Sequence, residues 1–342
     1  MEKDINILAI ESSCDETAAA VVANGRRICS NIISSQIAVH QPYGGVVPEI
    51  ASRCHLQAIV PVVSAAMEEA GLSFTDLDAV AVSSGPGLVG ALLVGVSYAK
   101  ALAQALSKPL ISVNHWQGHI CAVFLQHDIT YPFVALVASG SHSGIVEVRA
   151  AGVYRLLGAS RDDAAGEAFD KIARALGLGY PGGPQIEKAA LTGDKDYYQF
   201  PRAYLEKDSY DFSFSGLKSA VMNYINQRAM KNDPLRPDEI PHLAAAAQEA
   251  ITSVLAEKTL ATAKELGFNK IVLAGGVAAN QRLRELFDEQ KSPDMQIFYP
   301  SPLYCTDNAA MIGVAAYDKY LTCDFASLDL NADPRQNIYL NN

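Results

Sequence analysis

The chain is poor in charge, and poorest in positive charge. Charged residues make up 19% of its 342 residues, Lys and Arg number 27 against 37 Asp and Glu, and the formal net charge is −10. That balance argues against a surface coated in basic residues for nucleic acid, and leaves room only for a local basic patch. No CxxC pair occurs among the six scattered cysteines, Cys14, Cys29, Cys54, Cys121, Cys305 and Cys323. A zinc ribbon or a disulfide framework is therefore not expected, and reduced thiols in a cytoplasm fit better. The first residues, MEKDINILAIESS, are acidic and run directly into a strand, so no signal peptide is expected. Apolar stretches such as Val80–Val82 and Leu88–Val96 are short, and glycine and serine stand in and around them, so no membrane span is expected. Two catalytic signatures are missing as well. There is no GxxxxGK[ST] loop for cradling nucleotide phosphates and no HExxH for a zinc peptidase. The chain does have 49% hydrophobic residues, enough for two ordinary domains with their own cores.

The strongest chemical feature is the pair His115 and His119 in PLISVNHWQGHICAVF. On a helix this four-residue spacing puts both imidazoles on one face, close enough to share a metal ion. Pro109–Val113 reads as a buried strand and Asn114 as a helix cap. The pair thus sits where a strand hands over to a helix, a ligand-binding position in open α/β sheets. Near the end of the chain, Thr306-Asp307 reads as the start of a closing apolar helix. Asp307 is the candidate third ligand: two imidazoles and one carboxylate suit iron or zinc with positions left open.

The chain also repeats itself. Ile7–Val22, ILAIESSCDETAAAVV, and Phe133–Val148, FVALVASGSHSGIVEV, both read as an apolar strand, a small polar turn and a second apolar strand. Two such hairpins, one opening each half, predict two related lobes whose polar tips could hold a phosphate. Glycine-rich turns follow strands at Gly85–Gly95, which leads into an apolar helix continuing to about Leu106, and within Lys270–Phe287, where Asn280 stands near a helix start and could cap it or touch a ligand. Asp162–Leu178 reads as a helix capped by Asp162 or Asp163, with Asp163, Glu167 and Asp170 as an acidic stripe. Gly193–Pro241 reads as the least regular part, a surface excursion. It carries Arg202, Lys207, Lys218, Arg228, Lys231 and Arg236, with Lys171 and Arg174 nearby in sequence, and these are the candidate contacts to an RNA backbone.

Eight segments in order resemble one family. They are ESSCDETA, GGVVPEIASRCH, GPGLVGALLVG, NHWQGH, DDAAGEAFDKIARALGLGYPGGP, FSFSGLKSA, LAGGVAAN and YCTDNAAMI, and together they cover nearly the whole chain. The chain is similar to the bacterial tRNA N6-adenosine threonylcarbamoyltransferases, formerly described as glycoproteases. One departure stands out. The family's second hairpin usually has a Gly-Gly-His-Thr turn, whereas this chain has Gly140-Ser141-His142-Ser143, which would cost energy if residue 141 needs a positive φ.

The resemblance implies an α/β protein of the actin-like ATPase fold, two ribonuclease-H-like lobes around a central cleft. The first lobe would take residues 1–130 and 306–342, the second 131–305 with the insertion 193–241. It implies transfer of a threonylcarbamoyl group from threonylcarbamoyl-AMP to N6 of the adenosine beside the anticodon, in tRNAs reading codons that begin with adenine. His115, His119 and Asp307 would hold one divalent ion, iron favoured over zinc. Ala138, Ser139, Gly140, Ser141 and His142 would hold the acyl-phosphate part of the ligand, and Asp170, Gly183, Glu187 and Asn280 would embrace ribose and adenine. Asp15 and Glu16 are the acid–base or positioning carboxylates. Expected partners are tRNA, a related inactive paralogue and a small ATPase, in the cytoplasm and away from membranes. The alternatives are a metallopeptidase, or a small-molecule kinase or ATPase on the same fold. The peptidase lacks its base, since Trp116, Gln117 and Gly118 separate the histidines. The kinases and ATPases of this fold need no histidine pair.

Overall fold

A computed structural model describes residues 3–206 and 209–338. Lys207, one of the candidate RNA contacts, lies outside the described residues. The chain divides into two compact units, the first drawn from residues 1–130, 150–154 and 300–342, the second from 131–149 and 155–299.

The first unit is built on a five-stranded sheet of β1 (Asn6–Glu11), β2 (Glu16–Ala23), β3 (Arg27–Ser35), β4 (Ala79–Gly85) and β5 (Leu110–Asn114), in the order β3-β2-β1-β4-β5. β1, β2 and β3 are antiparallel neighbours, while β4 and β5 run parallel to β1. Side chains alternate between the two faces of the sheet, as strand geometry requires. Ile7, Ala9, Ala18, Ala20 and Val22 belong to a core that includes Met311 and Ile312 of the helix Ala309–Leu321. Leu8, Ile10, Ala19 and Val21 belong to another, with Ile59 and Val63 of the helix Pro48–Ala70 and Val96 and Ala99 of the helix Val89–Leu106. With both faces covered, β1 reads as a continuous apolar run.

The second unit repeats the plan with β6 (Phe133–Ala138), β7 (Ser143–Ala150), β8 (Val153–Ala159), β9 (Lys270–Ala274) and β10 (Gln296–Phe298), in the order β10-β9-β6-β7-β8. β6 and β7 are antiparallel, and β9 runs parallel to β6 and β10. Counting from β6, this is the order of the first sheet. The two segments that resemble each other in sequence are the two opening hairpins, paired Ile7↔Val22 and Phe133↔Val148 at their outer ends. This mixed α/β architecture is the actin-like ATPase fold, each unit of ribonuclease-H-like topology.

Three local expectations are corrected. The predicted helix Asp162–Leu178 is shorter, Ala165–Ala175, and neither aspartate caps it. Ser143 Oγ instead accepts from the Ala165 N–H at 2.9 Å. Asp162 accepts from the Phe214 and Ser215 N–H groups at 2.8 and 3.2 Å and from the hydroxyls of Ser213 and Ser215. It thereby fixes the start of a 16-residue helix, Ser215–Met230, inside the stretch expected to be least regular. The apolar helix expected to continue to about Leu106 is Val89–Leu106, and, against the reading of apolar stretches as too short, it and Pro48–Ala70 are long and apolar enough to cross a membrane by length and composition. Their inner faces are spent on the core of the first unit.

Candidate functional site

In the first unit β5 ends at Asn114, whose Oδ1 accepts from the Trp116 and Gln117 N–H groups at 2.9 and 3.4 Å. This cap starts the helix His115–Cys121, and its first turn brings the two imidazoles together with ring centroids 4.6 Å apart and planes at 83°. Asp307 comes from the stretch before the closing helix. Asn308, not Thr306-Asp307, is the cap of that helix, its Oδ1 accepting from Met311 N–H at 3.0 Å. Relieved of capping, the Asp307 carboxylate turns toward the histidines, 3.0 Å from His119 Nε2 and 3.6 Å from His115 Nε2. One ligand atom from each of the three lies within 4.8 Å of the others.

The donor set fits a divalent ion. Both imidazoles are buried, and among the described residues neither ring nitrogen of His119 has a hydrogen-bond partner, Nε2 being near Asp307 but not aligned with it. Leaving buried polar atoms unpaired is costly, and a metal would satisfy Nε2. His115 is held from behind. Its Nδ1 lies 3.0 Å from Glu11 Oε2 and 3.1 Å from Ser13 Oγ, and Glu11 Oε1 accepts from the Ser13 N–H at 2.5 Å. This is the carboxylate–histidine arrangement that fixes ring orientation and tautomer at metal sites. Burial alone would lower the pKa of His115, but Glu11 and Asp307 outweigh it and raise it to about 9. Glu11 was absent from the sequence-derived candidates. The signal for it was a charged residue closing the otherwise apolar strand ILAIE, and Glu11 is fully buried.

Asp15 and Glu16 form the tip of the first hairpin, Asp15 buried and Glu16 half-buried. Glu16 accepts from Ser35 Oγ at 3.1 Å. Its enclosed position, then Asp15 and Asp307, push its carboxyl well above the usual value of 4.5. Burial, then Asp15 and Asp307, likewise raises the neighbouring Cys14 thiol, so it is no ready nucleophile. Asp307 acts electrostatically on the tip as well as touching the histidines, so the acidic tip and the histidine pair belong to one environment within this unit.

In the second unit the tip of the other hairpin, Ser139–His142, closes on itself: Ser139 N–H donates to the His142 carbonyl at 2.7 Å and His142 N–H to Ser139 Oγ at 3.2 Å. Ser141 does not adopt a positive φ, so serine carries no backbone strain there, and its Oγ lies 3.1 Å from His142 Nδ1. Two glycines let other elements press against this tip. A Cβ on Gly166 would lie 2.5 Å from the Ser139 carbonyl oxygen, and one on Gly275, at φ +86°, would lie 2.5 Å from that of Ala138. Asp170 Oδ1 accepts from Gly182 N–H and Glu187 Oε1 from Gln281 N–H, both at 2.6 Å, while the Cβ position of Gly183 faces open space. Asn280 caps the helix Gln281–Gln290 through Leu283 N–H at 3.0 Å and donates to Gln248 Oε1 at 2.9 Å. Thus Ala138–His142, Asp170, Gly183, Glu187 and Asn280 lie on elements knit together around β6 and β9.

The basic candidates fare differently. Arg228 is clasped by Glu239 at 2.8 Å and Asp233 at 2.6 Å, Lys218 by Asp163 at 2.7 Å, and Lys171 by Asp163 and Glu167 at 2.8 and 2.7 Å. Arg236 reaches Asp238 and Glu239 at 3.4 and 3.5 Å. These four are paired with carboxylates of the same unit. Arg174, Arg202 and Lys231 are exposed.

Two duplicated units, one of them carrying a His-His-Asp cluster that could hold a metal ion, define a protein of the actin-like ATPase fold. Among solved structures, HypF of T. kodakarensis superposes with a TM-score of 0.63 at 15% identity, over 96% of this chain and 49% of that one. Component A of the Acidaminococcus fermentans (R)-2-hydroxyglutaryl-CoA dehydratase superposes at 0.53 and 14% identity, over 93% and 99%. At such identity these neighbours speak for the fold alone. The family profile for tRNA N6-adenosine threonylcarbamoyltransferase matches residues 27–314. Proteins of that name from Clostridium kluyveri and Clostridioides difficile are 55% and 53% identical over 98% of this chain and 98% and 99% of theirs. The chain belongs to the tRNA N6-adenosine threonylcarbamoyltransferase family.

Proposed function

We propose that this chain transfers the threonylcarbamoyl group of threonylcarbamoyl-AMP to N6 of the adenosine beside the anticodon in tRNAs that read codons beginning with adenine. The observation that carries the reading is the complete His115–His119–Asp307 cluster, its histidines buried and its carboxylate half-buried, in a chain of this family. The acyl carbon arrives activated, with AMP as leaving group, but an exocyclic amine is a poor nucleophile. Catalysis therefore needs alignment, polarisation of the carbonyl and removal of a proton. His115, His119 and Asp307 would hold one divalent ion, iron favoured and zinc the other candidate. When bound, it supplies Lewis-acid polarisation at the acyl-phosphate. Glu11 and Ser13 keep the His115 ring turned toward that position.

Asp15 and Glu16 are the candidate proton carriers. Enclosure, Asp15 and Asp307 raise the Glu16 carboxyl above its usual range, and a carboxylate beside the reacting amine can take its proton. In the second unit, Ala138–His142 would face the phosphate. Glu187 uses one oxygen on Gln281 and keeps the other for a ribose hydroxyl. Gly183 leaves room for the nucleoside against the backbone. Asn280 spends its Oδ1 on the helix cap, so its part in holding the adenine is mainly to shape the pocket. Arg174, Arg202 and Lys231 remain as tRNA backbone contacts. A companion paralogue and a small ATPase complete the system in the cytoplasm. An exposed apolar face supports a protein partner: Leu56 and Val60 on one helix are 65% and 55% exposed, and Val89 and Leu93 on its neighbour 52% and 41%. The metallopeptidase alternative lacks a carboxylate between its histidines, and the kinase alternative leaves the metal cluster without a purpose.

The test is to supply the purified chain and its partners with tRNA and preformed threonylcarbamoyl-AMP and measure the modified nucleoside. Product from the adenylate is expected, and none from threonine, bicarbonate and ATP with this chain and its paralogue alone. The reverse would misplace the chemistry.

A further inference from the structure

The segment GGVVPEIASRCH ends on a histidine that the proposed chemistry does not use. His55 lies in the helix Pro48–Ala70 and is fully buried. Its Nε2 is 2.9 Å from the Cys14 carbonyl oxygen and its Nδ1 is 2.7 Å from Thr17 Oγ1. A carbonyl can only accept, so Nε2 carries the hydrogen. In a neutral ring Nδ1 is then the acceptor, and the Thr17 hydroxyl donates to it. Burial lowers the pKa of His55, which keeps the ring in that neutral form. Cys14 immediately precedes Asp15, and Thr17 immediately follows Glu16.

We infer that His55 is a positioning residue for group transfer: its ring spans the two ends of the Asp15–Glu16 tip and fixes the direction in which those carboxylates point. The inference rests on the reading that Asp15 and Glu16 act at the reacting group. Further ties to the hairpin tip are Gln36 N–H donating to the Asp15 carbonyl at 3.0 Å, Ser35 Oγ to Glu16 Oε1 at 3.1 Å and Leu88 N–H to the Ser13 carbonyl at 2.8 Å. Of these ties, His55 alone holds both residues that flank Asp15 and Glu16. A packing residue at this place could have been apolar. A buried imidazole with both nitrogens committed costs more to bury and selects one arrangement of the groups it bonds.

The experiment uses the full chain with its partners, tRNA and threonylcarbamoyl-AMP. Thr17→Val keeps the shape and removes the donor, Thr17→Ser restores it, and His55→Gln keeps an N–H for the Cys14 carbonyl while losing the ring. Asp15→Asn and Glu16→Gln are run beside them. A misaligned reacting group costs on the order of 100-fold. Thr17→Val is expected to lose about 10- to 100-fold in kcat, with KM for the adenylate and metal content close to wild type, and Thr17→Ser to recover kcat. The Thr17→Val and His55→Gln losses should not add in the double variant, since both break one clamp. In nitrogen NMR the Nε2–H tautomer of His55 should persist in Thr17→Val, held by the Cys14 carbonyl, while the Nδ1 resonance shifts on losing its donor. Wild-type kcat in folded Thr17→Val or His55→Gln, with Asp15→Asn and Glu16→Gln inactive, would overturn the inference and leave the carboxylate reading standing. Full activity in Asp15→Asn and Glu16→Gln would overturn both. A kcat loss that merely tracks the loss of folded protein would show a structural role and overturn the inference. Thr17→Ala serves in the same comparisons where valine prevents folding.

Discussion

Replacing Glu11 by glutamine changes one atom and should cripple the metal site. The glutamate has two acceptor oxygens and uses both, Oε1 for the Ser13 N–H at 2.5 Å and Oε2 for His115 Nδ1 at 3.0 Å. Glutamine has one oxygen and one NH2. Whichever way it turns, one contact becomes donor against donor, in a site where the side chain is fully buried and no water can rescue it. Ser13 Oγ, 3.1 Å from Nδ1, can compensate only in part. A hydrogen bond to a charged group contributes roughly 1.5–3 kcal/mol. At about 1.4 kcal/mol per factor of ten, that is about 10- to 100-fold in metal affinity, the range typical for loss of an outer-shell partner. The assay is competition for Zn²⁺ or Fe²⁺ against a chromophoric chelator, with nucleoside formation from threonylcarbamoyl-AMP measured on the same preparations. Ser13→Ala should lose only a few-fold, because Glu11 stays. Wild-type metal affinity in a folded Glu11→Gln protein would refute the orientation argument.

Three further outcomes follow from other parts of the fold. Gly275→Ala places a Cβ 2.5 Å from the Ala138 carbonyl oxygen at a backbone φ of +86°, so it should lower the melting temperature by an amount corresponding to about 1–3 kcal/mol and weaken adenylate binding while leaving metal content intact. Glu239 is held at about 2, below the usual 4.5, chiefly by Arg228, then by the Arg236 N–H and Tyr197. Its contribution to stability is therefore complete above pH 4.5 and lost as pH falls toward 2, and Glu239→Gln should be less stable than wild type at pH 7 by a margin that narrows between pH 5 and 3 in denaturant titrations. Arg228→Ala should show the same loss without altering the salt dependence of tRNA binding, since Arg228 is spent on Glu239 and Asp233.

Periodicity carried much of the fold in readable form. Apolar strands followed by polar tips located both hairpins, short of the observed strand ends at Asn6, Ala23 and Ala150, because a half-repeat of the chain must bury its strands in the same way twice. The histidine pair was legible because its spacing and its cap are local properties of six residues. Caps that come from elsewhere in the chain were not legible. Asp162 looks like the cap of the helix that follows it, yet it closes a turn some 50 residues away, and Ser143 takes its place. Glu11 escaped notice for the same reason: its partner His115 lies on another strand's end, and nothing in ILAIE announces it except a carboxylate where an apolar residue would be expected. The pairing of the basic residues of 193–241 was not legible, because charge counts say nothing about it. Arg228 and Lys218 find acidic partners within the same unit that the linear order does not reveal.

The central claim is that His115, His119 and Asp307 together hold one ion on which group transfer depends. It is tested most directly by measuring metal per chain by elemental mass spectrometry in wild type and in His119→Ala, with the fold checked by circular dichroism and nucleoside formation assayed on the same samples. The account predicts one ion per wild-type chain, and loss of both ion and activity in a folded His119→Ala. A full complement of metal in His119→Ala would contradict it.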